Sequence, residues 1–378
     1  MKIVIAPDSF KESLSAIEVA QSIQAGLERV WPDAEFLKVP VADGGEGTVQ
    51  SLIDATSGQK VFTEVTGPLG KPVQAFYGVL GDNKTAVIEM AEASGLHLAT
   101  AEKRDPKITT SFGTGELIKH ALNQGVTKLI VGLGGSATND AGAGMLAALG
   151  VAFLDKTGEE FVPVGGASLA NLGSVDTSKL DPRLQQCEVV VACDVDNPLC
   201  GDKGASAVFG PQKGATEQDV ALLDKSLEIF GQVTEKNAGV DVLTAAGAGA
   251  AGGMGAALLG YANAVLKPGI EIVLDTVELE SKLIGANLVI TGEGKIDDQT
   301  VHGKTPVGVS KLAKQFNLPV IAIAGCTGNN FQAVYEHGID AVYACLPRPM
   351  SLQEAFDEAA SNLANVAENV ARTYQISH

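Results

Sequence analysis

The chain is poor in positive charge, poor in cysteine and without any long apolar run. Its 27 Lys and Arg face 45 Asp and Glu, a formal net charge of −18. A broad negative field repels phosphate backbones and anionic lipid, which argues against nucleic acid or a membrane surface as partner. An anionic substrate would therefore need a local basic patch. The five cysteines, Cys187, Cys193, Cys200, Cys326 and Cys345, are odd in number and include no C-x-x-C, which argues against a disulfide framework and a zinc site. They read as small buried hydrophobes, with Cys200 kept open as an exception. No apolar segment approaches the roughly 20 residues of a membrane span. The N-terminus MKIVIAPDSF begins as a strand, without the basic region and apolar core of a signal peptide, so the expected location is the cytoplasm. There is also no G-x-x-x-x-G-K-[ST] phosphate loop.

Glycine is plentiful, with 44 residues, and it is concentrated where strands give way to helices. In Lys128 to Gly150, KLIVGLGGSATNDAGAGMLAALG, a buried-strand run empties into a glycine turn and then into helix formers. Gly134 and Gly135 free the backbone to converge N–H groups on one point, while Ser136 and Thr138 add hydroxyl donors. A helix capped by Asn139 or Asp140 would aim its positive end at the same place. That pattern suits a phosphate. Asp140 is open as a metal ligand, and close helix–sheet packing explains the glycines equally well. The spacing of Gly132, Gly134 and Ala137, with Asp155 about 20 residues on, also fits the looser dinucleotide fingerprint.

At 378 residues the chain exceeds what one core usually fills, so two domains are expected. Lys2 to Ala6 reads as a strand and the segment after Pro7 as an amphipathic helix, which places Asp8, Ser9 and Lys11 at a strand's carboxyl end, open either to a ligand or to capping. Phe36 to Val41 and ADGGEGT repeat the design, with Asp43, Gly44, Gly45, Glu46 and Gly47 in the turn. From Val61 to Met90 the texture becomes an antiparallel meander, and Val151 to Glu160 looks like a hairpin. Strand Val189 to Cys193 delivers Asp194 and Asp196 to one face, which suits a metal, a general base or solvated turn acids. At Ala286 the β/α rhythm returns, and TGEGKIDDQTVHGKT gathers Glu293, Lys295, Asp297, Asp298, His302 and Lys304 in one glycine-rich turn. A final helix is expected from Ser351 to about Tyr374. The returning segment needs a sheet, so residues 1–60 plus 286–378 are expected to form one discontinuous, doubly wound α/β domain, with 61–285 inserted as a mixed α/β domain.

Five segments, APDSFKESLSA, VPVADGGEGT, GLGGSATNDAGAG, ACDVDNPLCG and VITGEGKIDDQT, resemble the type-1 glycerate kinase family in this order and across nearly the whole chain. The resemblance implies ATP-dependent phosphorylation of D-glycerate with magnesium. It also implies a flavodoxin-like domain, an inserted restriction-endonuclease-like domain and an active site in the cleft. Bacterial members are chiefly 2-kinases, so 2-phospho-D-glycerate is the expected product and 3-phosphoglycerate the alternative. Phosphoryl transfer needs positioned anions, carboxylates for magnesium and cations facing the transferred group. The expected roles are Asp194 as base and Lys295 as the second catalytic group, on phosphate or on the glycerate carboxylate. Gly134, Gly135, Ser136 and Thr138 are expected on phosphate, Glu293 and Asp297 on magnesium, and Asp8, Ser9, Lys11 and Asp43 facing the substrate. The competing classes are a non-catalytic sensor of a sugar acid or nucleotide, which would bind without consuming ATP, and a phosphosugar isomerase or lyase. Homo-oligomerisation is left open.

Overall fold

The computed structural model describes residues 1–45 and 47–376; Glu46, expected in the second glycine turn, lies outside the described residues. The chain divides into two compact units, Met1–Gly58 with Pro268–His378, and Gln59–Lys267. The first begins with β1 (Lys2–Pro7), α1 (Ala16–Glu28), β2 (Glu35–Lys38) and α2 (Thr48–Thr56). Helix α1 forms because Ala16, Val19, Ala20, Ile23 and Leu27 recur at helical spacing and are buried, and because Ser15 and Glu18 cap its start reciprocally. Pro32 prevents its continuation.

The second unit carries a six-stranded mixed sheet in the order β11-β10-β6-β5-β4-β3. It comprises β3 (Gln59–Thr66), β4 (Pro72–Val79), β5 (Thr85–Glu89), α3 (Phe112–Asn123), β6 (Lys128–Gly132) and α4 (Ala143–Ala148). The strands β7 (Ala152–Asp155), β8 (Glu160–Phe161) and β9 (Leu172–Asp176) form a small separate sheet. Then follow β10 (Glu188–Ala192), α5 (Glu217–Ala238), α6 (Ala250–Tyr261) and β11 (Val265–Lys267). Strands β3, β4 and β5 make the antiparallel meander, and β5 then joins β6 in parallel. Asp155 ends β7 and accepts from the backbone N–H of Thr157 and Glu159. It is a turn residue of the small sheet, which overturns its reading as the ribose acid of a dinucleotide site. His120 is structural too, with Nδ1 2.9 Å from the Tyr77 hydroxyl.

The chain returns to the first unit through α7 (Gly269–Thr276) and α8 (Leu279–Leu283). It continues with β12 (Leu288–Gly292), β13 (Lys295–Ile296), α9 (Thr305–Gln315), β14 (Val320–Ala324) and β15 (Cys326–Thr327). It ends with β16 (Ala341–Ala344), α10 (Leu352–Asp357) and α11 (Ala359–Ile376). The return lies at Pro268, earlier than the Ala286 expected from texture, because α7 packs on α2 and α9 and the Gly269 backbone lies against Asp43 and Gly44. Composition could not show which sheet that helix covers. The final helix is broken at Glu358, and its first piece carries its own Ser351–Glu354 capping box.

All five main strands of this unit are parallel, in the order β16-β14-β12-β1-β2. Counted within the unit the order runs two, one, three, four, five, the doubly wound arrangement in which winding reverses between β1 and β12. Helices α1 and α11 cover one face, packing Ile23 and Leu363 over Ile3, Ile5, Leu288 and Ile290. The alternate residues Val4 and Val289 are equally buried, and α9 packs against β1, β12 and β14. With both faces covered, ligands are left the carboxyl edge of the sheet. No helix among the described residues is long and apolar enough to cross a membrane.

Candidate active site

The switch point between β1 and β12 gathers several charged side chains of the first unit. Strand β1 ends at Pro7 directly beside Gly292 of β12, so the next residues, Asp8 and Glu293, emerge together. Both face one cavity of about 410 Å³ that also takes in Ser9, Lys11, Asp43 and, from the second half of the unit, Lys295 and Lys304. Asp8 accepts from the Thr305 hydroxyl at 2.6 Å on one oxygen and from the Ser9 amide at 2.6 Å on the other. Glu293 accepts from the Thr300 hydroxyl at 2.6 Å, and the Lys304 ammonium lies 3.6 Å from its other oxygen. The Asp43 carboxylate accepts from the Gly45 amide across its own turn.

Burial pushes the Asp8 carboxyl up to about 6, with the Asp43 charge adding to the rise and the Thr305 and Ser9 donors opposing it. Glu293 is pushed up to about 7, again by burial first; Thr300 and Lys304 oppose the rise and Asp8 adds to it. Two mutually repelling carboxylates at one cavity wall are a donor set of the hard oxygen type that a divalent cation relieves. Among the described residues no group of three or more His, Cys, Asp and Glu could hold a metal ion. A pair of carboxylates is the kind of donor set that suits magnesium, which takes one or two carboxylates and fills its remaining positions with water and substrate phosphates.

Asp297 is engaged differently from the expectation. One oxygen accepts from the Gln299 amide and caps the short turn Asp298–Val301. The other pairs with Lys295 at 2.8 Å, which holds the carboxyl below its ordinary value. It does not line the cavity. Asp298 and His302 are exposed, and neither lines the cavity.

In the second unit the carboxyl ends of β6 and β10 are neighbours, with Gly132 beside Ala192. The glycine turn and the Asp194 loop therefore leave the same sheet edge, and Asp194, Gly134 and Gly135 are exposed there. Past that apex the turn is already filled. Asp140, fully buried, accepts from the amide and hydroxyl of Ser111 and from the amides of Gly142 and Gly144. The group that accepts from the amides at the start of α4 is thus this buried carboxyl of the protein itself, pushed up by burial, and its oxygens are already engaged by these four donors. Helix α4 is capped by Gly142, in place of Asn139 or Asp140. Thr138 is fully buried and its hydroxyl has no hydrogen-bond partner among the described residues.

Lys213 escaped the sequence reading. It is only 1 % exposed, and its ammonium donates to the Ser136 hydroxyl at 2.9 Å and to the Thr138 carbonyl at 2.6 Å. Burial draws it down to about 7, with the Asp140 charge opposing. A lysine between Pro211 and Gly214 looks like a solvated turn residue; only packing turns it inward. Cys200 is pushed up to about 12 by burial, which makes it a poor nucleophile.

Residues 3–375 match the model of the glycerate kinase family. A protein of Bacillus subtilis named glycerate kinase is 56% identical, covering 100% of this chain and 98% of its own. A protein of Escherichia coli K12 named glycerate 2-kinase is 55% identical, with coverage of 100% and 98%. The crystal structure of a candidate glycerate kinase 2 from Salmonella typhimurium LT2 is similar with a TM-score of 0.93 at 54% identity, covering 100% of this chain and 99% of its own.

Proposed function

The chain belongs to the glycerate kinase family and is an enzyme, a glycerate kinase, and from that premise we propose that it transfers the γ-phosphoryl group of ATP to the 2-hydroxyl of D-glycerate with magnesium. The observation that carries the chemistry is the Asp8–Glu293 pair, facing the same cavity as Lys11, Lys295 and Lys304. A phosphoryl group in flight is stabilised by position and charge alone, and this edge supplies both. When bound, magnesium spreads the charge of the phosphoryl oxygens. Asp8 and Glu293 would hold it, while Asp297, tied to Lys295, would position that lysine. Lys295 and Lys304 meet phosphate, and Ser9 and Asp43 shape the two turns at the rim.

In the second unit the exposed amides of Gly134 and Gly135 offer an anion site that Ser136 supports from below. Thr138 acts through the backbone, as the carbonyl that Lys213 holds. Asp194, exposed beside that turn, takes the proton as the substrate oxygen bonds to phosphorus and the bond to the ADP oxygen breaks. The strand order of the first unit supports a flavodoxin-like reading, and the restriction-endonuclease-like reading of the insert rests on the family resemblance. The cytoplasm is the proposed location.

The 2-position rests on the name of the Escherichia coli relative, since either hydroxyl of glycerate is chemically competent. Purified protein should release ADP only with both D-glycerate and magnesium present. Coupled to enolase and pyruvate kinase without phosphoglycerate mutase, the product should give pyruvate directly. A signal that waits for added mutase would assign the 3-hydroxyl, and no glycerate-stimulated ADP release would end the kinase reading.

A further inference from the structure

The cavity of the first unit is larger and chemically more divided than a three-carbon acid requires. Following the sheet from β1 through β12 and β14 to β16, its lining changes in three stages. The β1–β12 end is charged, with Asp8, Lys11, Glu293 and Lys295. The middle is bare backbone, Gly294 and Gly325 at the ends of β12 and β14, where a side chain on Gly325 would collide with the Gly294 carbonyl. The β16 end is apolar, with Cys345, Leu346, Leu352 and Phe356. Leu352 is 68% exposed and Leu346 is 43% exposed, so this wall offers large uncovered side chains to whatever enters.

We propose that this apolar end seats the base of a purine nucleotide, whose phosphate chain runs over the glycine floor to the charged end, making the first unit the nucleotide-binding side of the enzyme. The inference rests on ATP being the phosphoryl donor and adds which unit holds it. Three steps between strands, at about 4.8 Å each, span roughly 14 Å. That is far too long for glycerate and suits a base, ribose and phosphates laid end to end. Glycerate is polar on every carbon, and an apolar wall would leave its oxygens unpaired. A planar heterocycle gains from the same wall. The apolar lip also touches the cationic loop: the Ser13 hydroxyl donates to the Phe356 carbonyl at 3.3 Å, which links α10 to the Lys11 turn.

The test is equilibrium titration of the full-length protein with ADP and, separately, with inorganic tripolyphosphate, both with magnesium and without glycerate. Leu352→Asp should weaken ADP binding about tenfold or more, through lost apolar contact and added charge, and raise the KM for ATP in step. Tripolyphosphate binding and the KM for D-glycerate should stay within about twofold, since a contact with the base alone is removed. Leu352→Met should restore ADP binding. Because Leu352 is mostly exposed, its thermal transition should be unchanged, and Phe356→Ala supplies a second variant at the same wall. If ADP binds the wild type and neither variant weakens it, the base sits elsewhere and the inference falls while the kinase reading stands. If the wild type binds neither ADP nor ATP, the choice of donor falls and the inference with it.

Discussion

Glu293 and Asp8 are buried where their charges oppose each other, and this makes them the most sensitive side chains of the first unit. Glu293→Gln keeps the size and the Thr300 contact and removes a charge that a divalent cation needs. Turnover should fall by about a hundredfold or more, with a higher magnesium concentration at half-saturation; an unchanged magnesium titration would show that Glu293 is no ligand. Asp194→Asn should cut turnover by roughly 10²–10⁴ with little effect on ATP binding, the usual loss of a general base, and near-normal turnover would make it a turn acid. Lys213 gives a stability prediction. Its ammonium is drawn from 10.5 down to about 7 by burial, so between those values the unfolded chain holds a proton that the folded one has released. Stability contributed by this group therefore rises with pH across that window and is least below it. Lys213→Met has no such linkage and leaves the Ser136 and Thr138 acceptors unserved, a cost of about 1–3 kcal/mol. Its deficit in urea denaturation should be larger at pH 9 than at pH 7, and an equal deficit at both would refute the linkage.

At the scale of elements, the long pairing of α1 with α11 depends on the absence of a side chain at one position. A Cβ on Gly26 would run into the Ala364 carbonyl and the Ala367 side chain, so the two backbones approach only because residue 26 is glycine. Gly26→Ala would raise helix propensity by about 1 kcal/mol but force the helices apart. Overpacking of this kind costs about 1–3 kcal/mol, so the net change should be destabilising, with a lower denaturation midpoint. A higher midpoint would mean that the helices slide apart freely. The same helices carry no residue of the charged cluster, so activity per folded molecule should be unchanged.

At the scale of the molecule, each unit encloses its own core. The apolar cluster of the second unit, from Val65 and Tyr77 to Met254 and Ala264, draws on residues of that unit alone, and that of the first likewise. We therefore expect residues 59–267, expressed alone, to unfold cooperatively and to retain near-ultraviolet circular dichroism. A fragment that binds hydrophobic dye and melts without a transition would show that the insert is not a domain.

Periodicity and punctuation made much of the strands and helices legible: β1, the apolar face of α1 and the meander follow from local spacing, because a packed element writes its exposure pattern into its own residues, while the start of α1 at Ala16 and the return at Pro268 did not show there. The placing of Asp8 at a strand's carboxyl end was legible for the same local reason, since it follows the buried run of β1, although the helix begins only at Ala16. What local spacing cannot carry is the identity of neighbours. Strand order brought Glu293 beside Asp8, 285 residues away in sequence, with the Thr291 hydroxyl donating to the Ala6 carbonyl two residues earlier, while Asp297, four residues beyond Glu293, was turned aside by Lys295. Burial decided the rest: Thr138 went inward, Asp140 became the acceptor at its own helix start and Lys213 left the surface. The sequence determined which groups each turn could offer; only tertiary packing, through strand order and the exclusion of water, decided which of them face a ligand and which satisfy one another.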